Sequence, residues 1–133
     1  MVLYDYKSNA ILTEPLKNNT TPELMRAQTR LTQYLLDRGI KPTSLRIDNE
    51  CPKALKLFFR ANSIDFQLCL PNYHCTNKAE KAIDAWKCHF LVGISGLHPN
   101  FPLHLWCRLL PQVTQTLNLL HRYRINPLLS AEA

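Results

Sequence analysis

The residues whose types and spacing could do chemistry are acids. Asp48 and Glu50 follow the apolar run "LRI" at 45–47, and a helical pattern begins right after them. A carboxylate at the tip of a buried strand costs several kcal/mol, on the order of the penalty for any buried charge, unless something pairs with it. Glu80 is a second acid in a comparable place, inside the first turn of the helix that opens "NKAEKAIDAW". Two or three converging carboxylates bind Mg²⁺ or Mn²⁺ through oxygen. Two such ions about 3.5–4 Å apart can activate a nucleophile and stabilise a leaving 3′ oxygen. The same residues also suit a plainer role. Asp48 can cap the following helix, and Glu80 suits the positive end of its own. Spacing alone leaves both readings open.

Other side chains with chemical potential point less sharply. The five cysteines are odd in number and include no CxxC pair, which fits free thiols in a reducing compartment. "HC" at 74–75 and "CH" at 88–89 have the letters of a zinc quartet, but adjacent Cys88 and His89 on a helix point about 100° apart. The sequon "NNT" at 18–20 matters only in a secreted protein, and no signal segment is evident at the start. The formal net charge of +6 favours an acidic partner, and nucleic acid is the commonest. Lys53, Lys56 and Arg60 form a basic stripe at helical spacing just after Asp48, either a phosphate-binding face or a solvated one. Trp86 and Trp106 suit a core or a subunit interface better than a base-stacking platform.

The elements that must position these groups are short. Strand patterns cover 2–6 and 10–16, with "KSN" as the turn. Thr20 or Thr21 caps a helix with Pro22 at its first position. Leu24, Ala27, Leu31, Tyr34 and Leu35 then repeat at helical spacing until Gly39. Strands follow at 43–47 and 64–70, separated by a helix over 52–61 that buries Leu55 and Phe58 or Phe59. The loop "PNYHCTN" leads to a helix from Lys78 to about Gly93, with Ala79, Ile83, Trp86 and Phe90 on one face. A last helix is expected from about Pro102 to His121, kinked by Pro111, and then an irregular tail. The order implies one α/β layered domain. The strands at 43–47 and 64–70 should be parallel neighbours, and sites in such sheets lie past the carboxyl ends of strands, where Asp48 sits. No run approaches the ~18 apolar residues of a membrane span.

"LRIDNE" and "NYHCTNKAEKAIDAWKCHF" resemble the second and third signature blocks of the integrase catalytic core of retrotransposons and retroviruses. "VLYDYKSNAILTEPLKNNT" resembles an earlier segment of that core, and "FPLHLWCRLLPQVTQTLNLL" its closing helix. The resemblance spans 1–127, a partial catalytic core, and leaves 128–133 as a tail. It implies a ribonuclease H-like mixed sheet flanked by helices, and an Asp, Asp, Glu triad that holds Mg²⁺ or Mn²⁺ to join element DNA to target DNA. Asp48 matches the second acid and Glu80 the third, with 31 residues between them, a few fewer than is usual. Asn77 matches the Asn before the helix, and the resemblance implies that it binds nucleic acid together with Lys78, Lys81 and Lys87 and with Lys53, Lys56 and Arg60. Lys78 stands where a small residue is usual, and Lys81 where Arg is common. Lys87 shares a helix face with Glu80, where the family carries lysines that touch DNA, although Asp84 occupies the place between. The family's first Asp lies on a strand upstream of "VLYDY", and these residues begin after it, so the sheet is expected to lack that strand.

The function implied is that of a fragment of a transposable-element integrase core that binds nucleic acid and is inactive alone for want of the first Asp. Its implied partners are DNA and a second copy of the chain, not a membrane, and its implied place is intracellular and nuclear. Two alternatives stand beside it. One is an active metal-dependent nuclease in which Asp5 or Glu50 supplies the third acid. The other is a domesticated, non-catalytic interaction module.

Overall fold

The computed structural model describes residues 1–47, 51–69 and 78–132. The protein is mixed α/β. It divides into two compact units, Met1 with Leu16–Asn77 and Val2–Pro15 with Lys78–Ala133. The single mixed sheet expected from the sequence is not formed among the described residues; hydrogen bonding instead builds two separate two-stranded sheets.

The first unit starts with α1 (Thr21–Asp37). Thr20 precedes it in an extended conformation, but its hydroxyl donates to Asn18 Oδ1 at 2.6 Å and leaves the helix amides alone. Glu23, in the first turn, bonds other groups. Its carboxylate accepts from Arg26 and from the Lys17 amide, and these bonds hold its pKa down at about 2. Ala27, Leu31 and Leu35 are buried as the spacing requires, while Tyr34 stays exposed and lies under Arg38. Gly39 ends the helix at φ +73°, with its amide bonded to the Leu36 carbonyl and that of Ile40 to Leu35.

β1 to β4 are numbered along the chain, and the first unit holds the last two. β3 (Ser44–Ile47) pairs in parallel with β4 (Asp65–Leu68), in the register Ser44 to Asp65 and Ile47 to Leu68. α2 (Lys53–Ala61) is the crossover between them. Leu45, Ile47 and Phe66 turn toward Leu55, Phe59 and Ile64, and Ser44, Arg46, Asp65 and Gln67 lie exposed. Of the two phenylalanines, Phe59 is the fully buried one, and Phe58 meets it edge-on. After α2 the chain turns through Ser63 at φ +54°, with Ile64 bonded back to Phe59. This is the same terminus as at Gly39, built here with a residue that has a Cβ.

The second unit opens with a hairpin, β1 (Val2–Tyr4) and β2 (Ile11–Thr13). Asp5 builds its turn: the carboxylate accepts from the Ser8 amide at 2.8 Å and the Ser8 hydroxyl at 2.6 Å. Asn9 takes the positive φ of +67°. The Asp5 amide donates to Ala10, and bonded pairs alternate along an antiparallel ladder, so the Ile11 N–H and C=O face away from β1. Asn118 meets them. Its Oδ1 accepts from the Ile11 amide at 2.9 Å and its Nδ2 donates to the Ile11 carbonyl at 2.8 Å. Asn118 is 1% exposed and Ile11 fully buried.

Asn118 belongs to α4 (Leu110–Leu120), which packs with α3 (Lys78–Ser95). The expected helix over 102–121 is corrected: residues Leu103–Leu109 wind as a 3-10 helix, and the α-helix proper starts only beside Pro111. Proline lacks the amide and would strike the carbonyl four residues back, so it is accepted in a first turn and not in a helix interior. α3 also runs past Gly93 to Ser95. The most buried residue of α3 is Ala82, with Trp86 packed beside it against Ile11 and Leu117. The tail is ordered by backbone bonds: Tyr123 to Leu129 and Ala131 to His121, with Ala131 buried.

Two stability predictions follow from buried and strained positions. Asn118→Ala leaves the Ile11 amide and carbonyl unpaired and should cost about 3 kcal/mol, at roughly 1–3 kcal/mol for each orphaned group. Ser63→Gly removes the left-handed strain of a residue with a Cβ and should stabilise by about 1 kcal/mol. Urea titrations followed by far-ultraviolet circular dichroism measure both.

Candidate nucleic-acid interface

The acids read from sequence come only partly into view. Asp48, Glu50 and Asn77 lie outside the described residues, as do His74 and Cys75. β3 ends at Ile47, so Asp48 follows directly on its carboxyl end. Glu80 sits in the first turn of α3 and is half-buried. Among the described residues, no three His, Cys, Asp or Glu side chains gather as a metal site. Of the acids assigned to Mg²⁺ or Mn²⁺, only Glu80 is therefore placed, and one carboxylate does not define a metal centre. Asp5, considered as a substitute acid, has its carboxylate occupied by Ser8 inside the hairpin turn.

The basic residues are placed more fully. α2 turns Leu55 and Phe59 inward, and this leaves Lys53 and Arg60 exposed with Lys56 half-buried between them. The Arg60 guanidinium lies over the Phe66 ring, 5.9 Å from its centre. On α3, Lys78, Lys81 and Lys87 are all exposed, and so is Asp84. Trp86 is not a stacking platform. It stacks on Phe90 with centroids 5.0 Å apart and donates its indole N–H to Thr114. Trp106 meets Phe90 edge-on and is 41% exposed.

The second unit also holds a cluster that sequence reading did not single out. Lys78 Nζ donates to the Tyr6 hydroxyl at 2.8 Å and lies 4.3 Å from its ring centre. The Arg124 guanidinium lies 3.9 Å from the same ring centre and donates to the Tyr4 hydroxyl at 2.6 Å. Tyr4 in turn donates to Asn9 Oδ1, and Asn9 Nδ2 donates to the Arg122 carbonyl. Lys78 and Arg124 together hold the Tyr6 hydroxyl below its ordinary pKa, with the hydrogen bond from Lys78 as the largest cause. The signal in the sequence was "HRYR" at 121–124, a basic run in a segment of no strong periodicity.

Of the five tyrosines, Tyr6 is expected to ionise at lower pH in the intact chain than in Lys78→Gln. A near-ultraviolet absorbance titration of the two proteins, with Tyr6→Phe to assign the step, measures the difference. No protein-family model and no curated protein matches the chain.

Proposed function

We propose that these residues are part of a retrotransposon- or retroviral-type integrase catalytic core that binds DNA and does not catalyse strand transfer by itself. The observation that carries this reading is the parallel β3–α2–β4 unit. Its first strand runs directly into Asp48, and Glu80 stands in the first turn of the helix that follows its second strand. Sites of open α/β sheets lie past strand carboxyl ends, the place that Asp48 occupies in the chain. Two further features support it. β1 has β2 as its only strand partner and β3 has β4 among the described residues, and the family's first strand would pair beside β1 and β3. Exposed cations on α2 and α3 supply the phosphate-binding charge the reading needs.

In this reading, Asp48 and Glu80 are the second and third acids of a triad whose first member is not among these residues. Mg²⁺ or Mn²⁺, when held by a full triad, would stabilise charge on the attacking and leaving oxygens of a phosphodiester. The chain's own part is to supply two carboxylates and to hold DNA by Lys53, Lys56, Arg60, Asn77, Lys78, Lys81 and Lys87. Nuclear residence belongs to the same proposal; among the described residues no helix is long and apolar enough to cross a membrane. The non-catalytic interaction module is a second reading, and the apolar residues exposed on α3 and α4, among them Leu91, Val92 and Leu120, favour it. Pairing with a second copy fits either.

Purified chain with Mg²⁺ or Mn²⁺ is expected to show no strand transfer or nicking above background. It should bind duplex DNA without sequence preference, and affinity should fall steeply as salt rises. Fluorescence anisotropy across a salt series and a plasmid-nicking assay read these outcomes. DNA binding that is absent or indifferent to salt favours the interaction module. Robust metal-dependent cleavage lost in Asp48→Asn shows that another acid completes the triad, and Glu50 is then the first candidate.

A further inference from the structure

We infer that Lys78 and Arg124, bracketing Tyr6, form a phosphate-binding site for the nucleic-acid backbone, built from other residues than the α2 stripe. The inference rests on the DNA-binding reading, in which Lys78 already has a part, and adds Arg124 and Tyr6 to it.

Three observations carry it. First, two cations far apart in sequence converge on one side chain. Lys78 Nζ is 2.8 Å from the Tyr6 hydroxyl, and the Arg124 guanidinium is 3.9 Å from the Tyr6 ring centre. Like charges brought together repel, so the arrangement favours an anion that neutralises both. Second, the cations are held by phenols, and neither forms an ion pair with a carboxylate among the described residues. A phenol, unlike a carboxylate, bonds to each cation without neutralising it. Third, the cluster is both open and built. Tyr6 is 53% exposed, and Lys78 and Arg124 are exposed. Behind them Tyr4, Asn9 and the Arg122 carbonyl form a hydrogen-bonded chain that fixes the hairpin to the segment carrying Arg124.

The chemistry selects the ligand class. An ammonium and a guanidinium offer charge-assisted donors to non-bridging phosphate oxygens, and the guanidinium can bind two at once. The Tyr6 hydroxyl adds a neutral donor once Lys78 turns to the anion. Its ring is already covered by cations, which suits backbone contact better than base stacking. Such a contact positions nucleic acid and carries no sequence information.

The test uses the full chain, a labelled duplex oligonucleotide and, separately, inorganic phosphate. Lys78→Gln with Arg124→Gln should lower duplex affinity roughly tenfold at low salt, and should reduce the slope of log K against log salt by about 1.8, at about 0.9 per phosphate contact. Lys53→Gln with Arg60→Gln is the comparison, and circular dichroism confirms that each variant folds. In the intact chain, phosphate at constant ionic strength should raise the pH at which Tyr6 ionises, because a bound anion offsets the two cations. The double variant should show no such rise. Unchanged affinity and slope in that variant, while the intact chain binds DNA, would overturn the site and leave the integrase reading standing. If the intact chain binds no DNA yet phosphate still moves the Tyr6 titration, the nucleic-acid assignment is overturned and the site takes free phosphate only. Tyr6→Phe should lose part of the affinity, since Lys78 then lacks the hydroxyl that orients it.

Discussion

The second unit depends on one side-chain amide. A two-stranded hairpin leaves half of its backbone groups facing outward, and each one buried unpaired costs about as much as a lost hydrogen bond. Asn118 meets the outward N–H and C=O of Ile11 with its own C=O and NH₂, as a third strand would at that point. This one contact lets β2 be buried against α4. The core of Ile11, Ala82 and Leu117 can then close, with Trp86 laid on its edge. Thr13 and Thr114 add a hydroxyl pair at 2.7 Å along the same seam, and Trp86 also donates to Thr114. The join between strand and helix is thus polar at its centre and apolar around it.

The first unit is held differently. Its parallel strands are joined through α2, and the apolar faces of all three meet at Phe59. Cys51 lies at the rim of this cluster, where burial pushes its thiol pKa up. The polar work falls to the helix ends. Gly39 and Ser63 turn the chain sharply at the ends of α1 and α2, and the backbone bonds around them satisfy carbonyls that would otherwise be orphaned.

Charge is distributed to match. Inward positions of α2 are taken by Leu55 and Phe59, so Lys53 and Arg60 lie exposed and Lys56 stays at the half-buried edge. Around Tyr6, tertiary structure instead draws two cations together and holds them with phenols. The first pattern follows from helical periodicity alone. The second requires the hairpin turn, the start of α3 and the chain after α4 to meet, and Asn9 makes that meeting specific by bonding both Tyr4 and the Arg122 carbonyl.

Periodicity and turn chemistry in the sequence located the four strands, α1, α2 and the start of α3. Spacing is regular where one face is buried, as in α1, β3 and β4. β2 instead buries Ile11 and Leu12 side by side, and α3 buries Ala82, which is not on the face expected from Ala79, Ile83, Trp86 and Phe90. The parallel pairing of β3 and β4 was legible for a related reason: a helix between two strands supplies the crossover that parallel strands require. The long helix after Pro102 was not, since apolar spacing continues through Pro111 while the backbone cannot. Nor was the role of Asp5, which looks like a candidate acid until the fold turns it onto Ser8. Asn118 reads as an ordinary polar residue within a helix, and Arg124 as part of a loose tail. Their roles rest on partners more than one hundred residues away in the chain, Ile11 for Asn118 and Tyr4 for Arg124. Local sequence sets which face of an element is apolar, whereas long-range hydrogen bonds depend on which elements meet, and only the tertiary structure decides that.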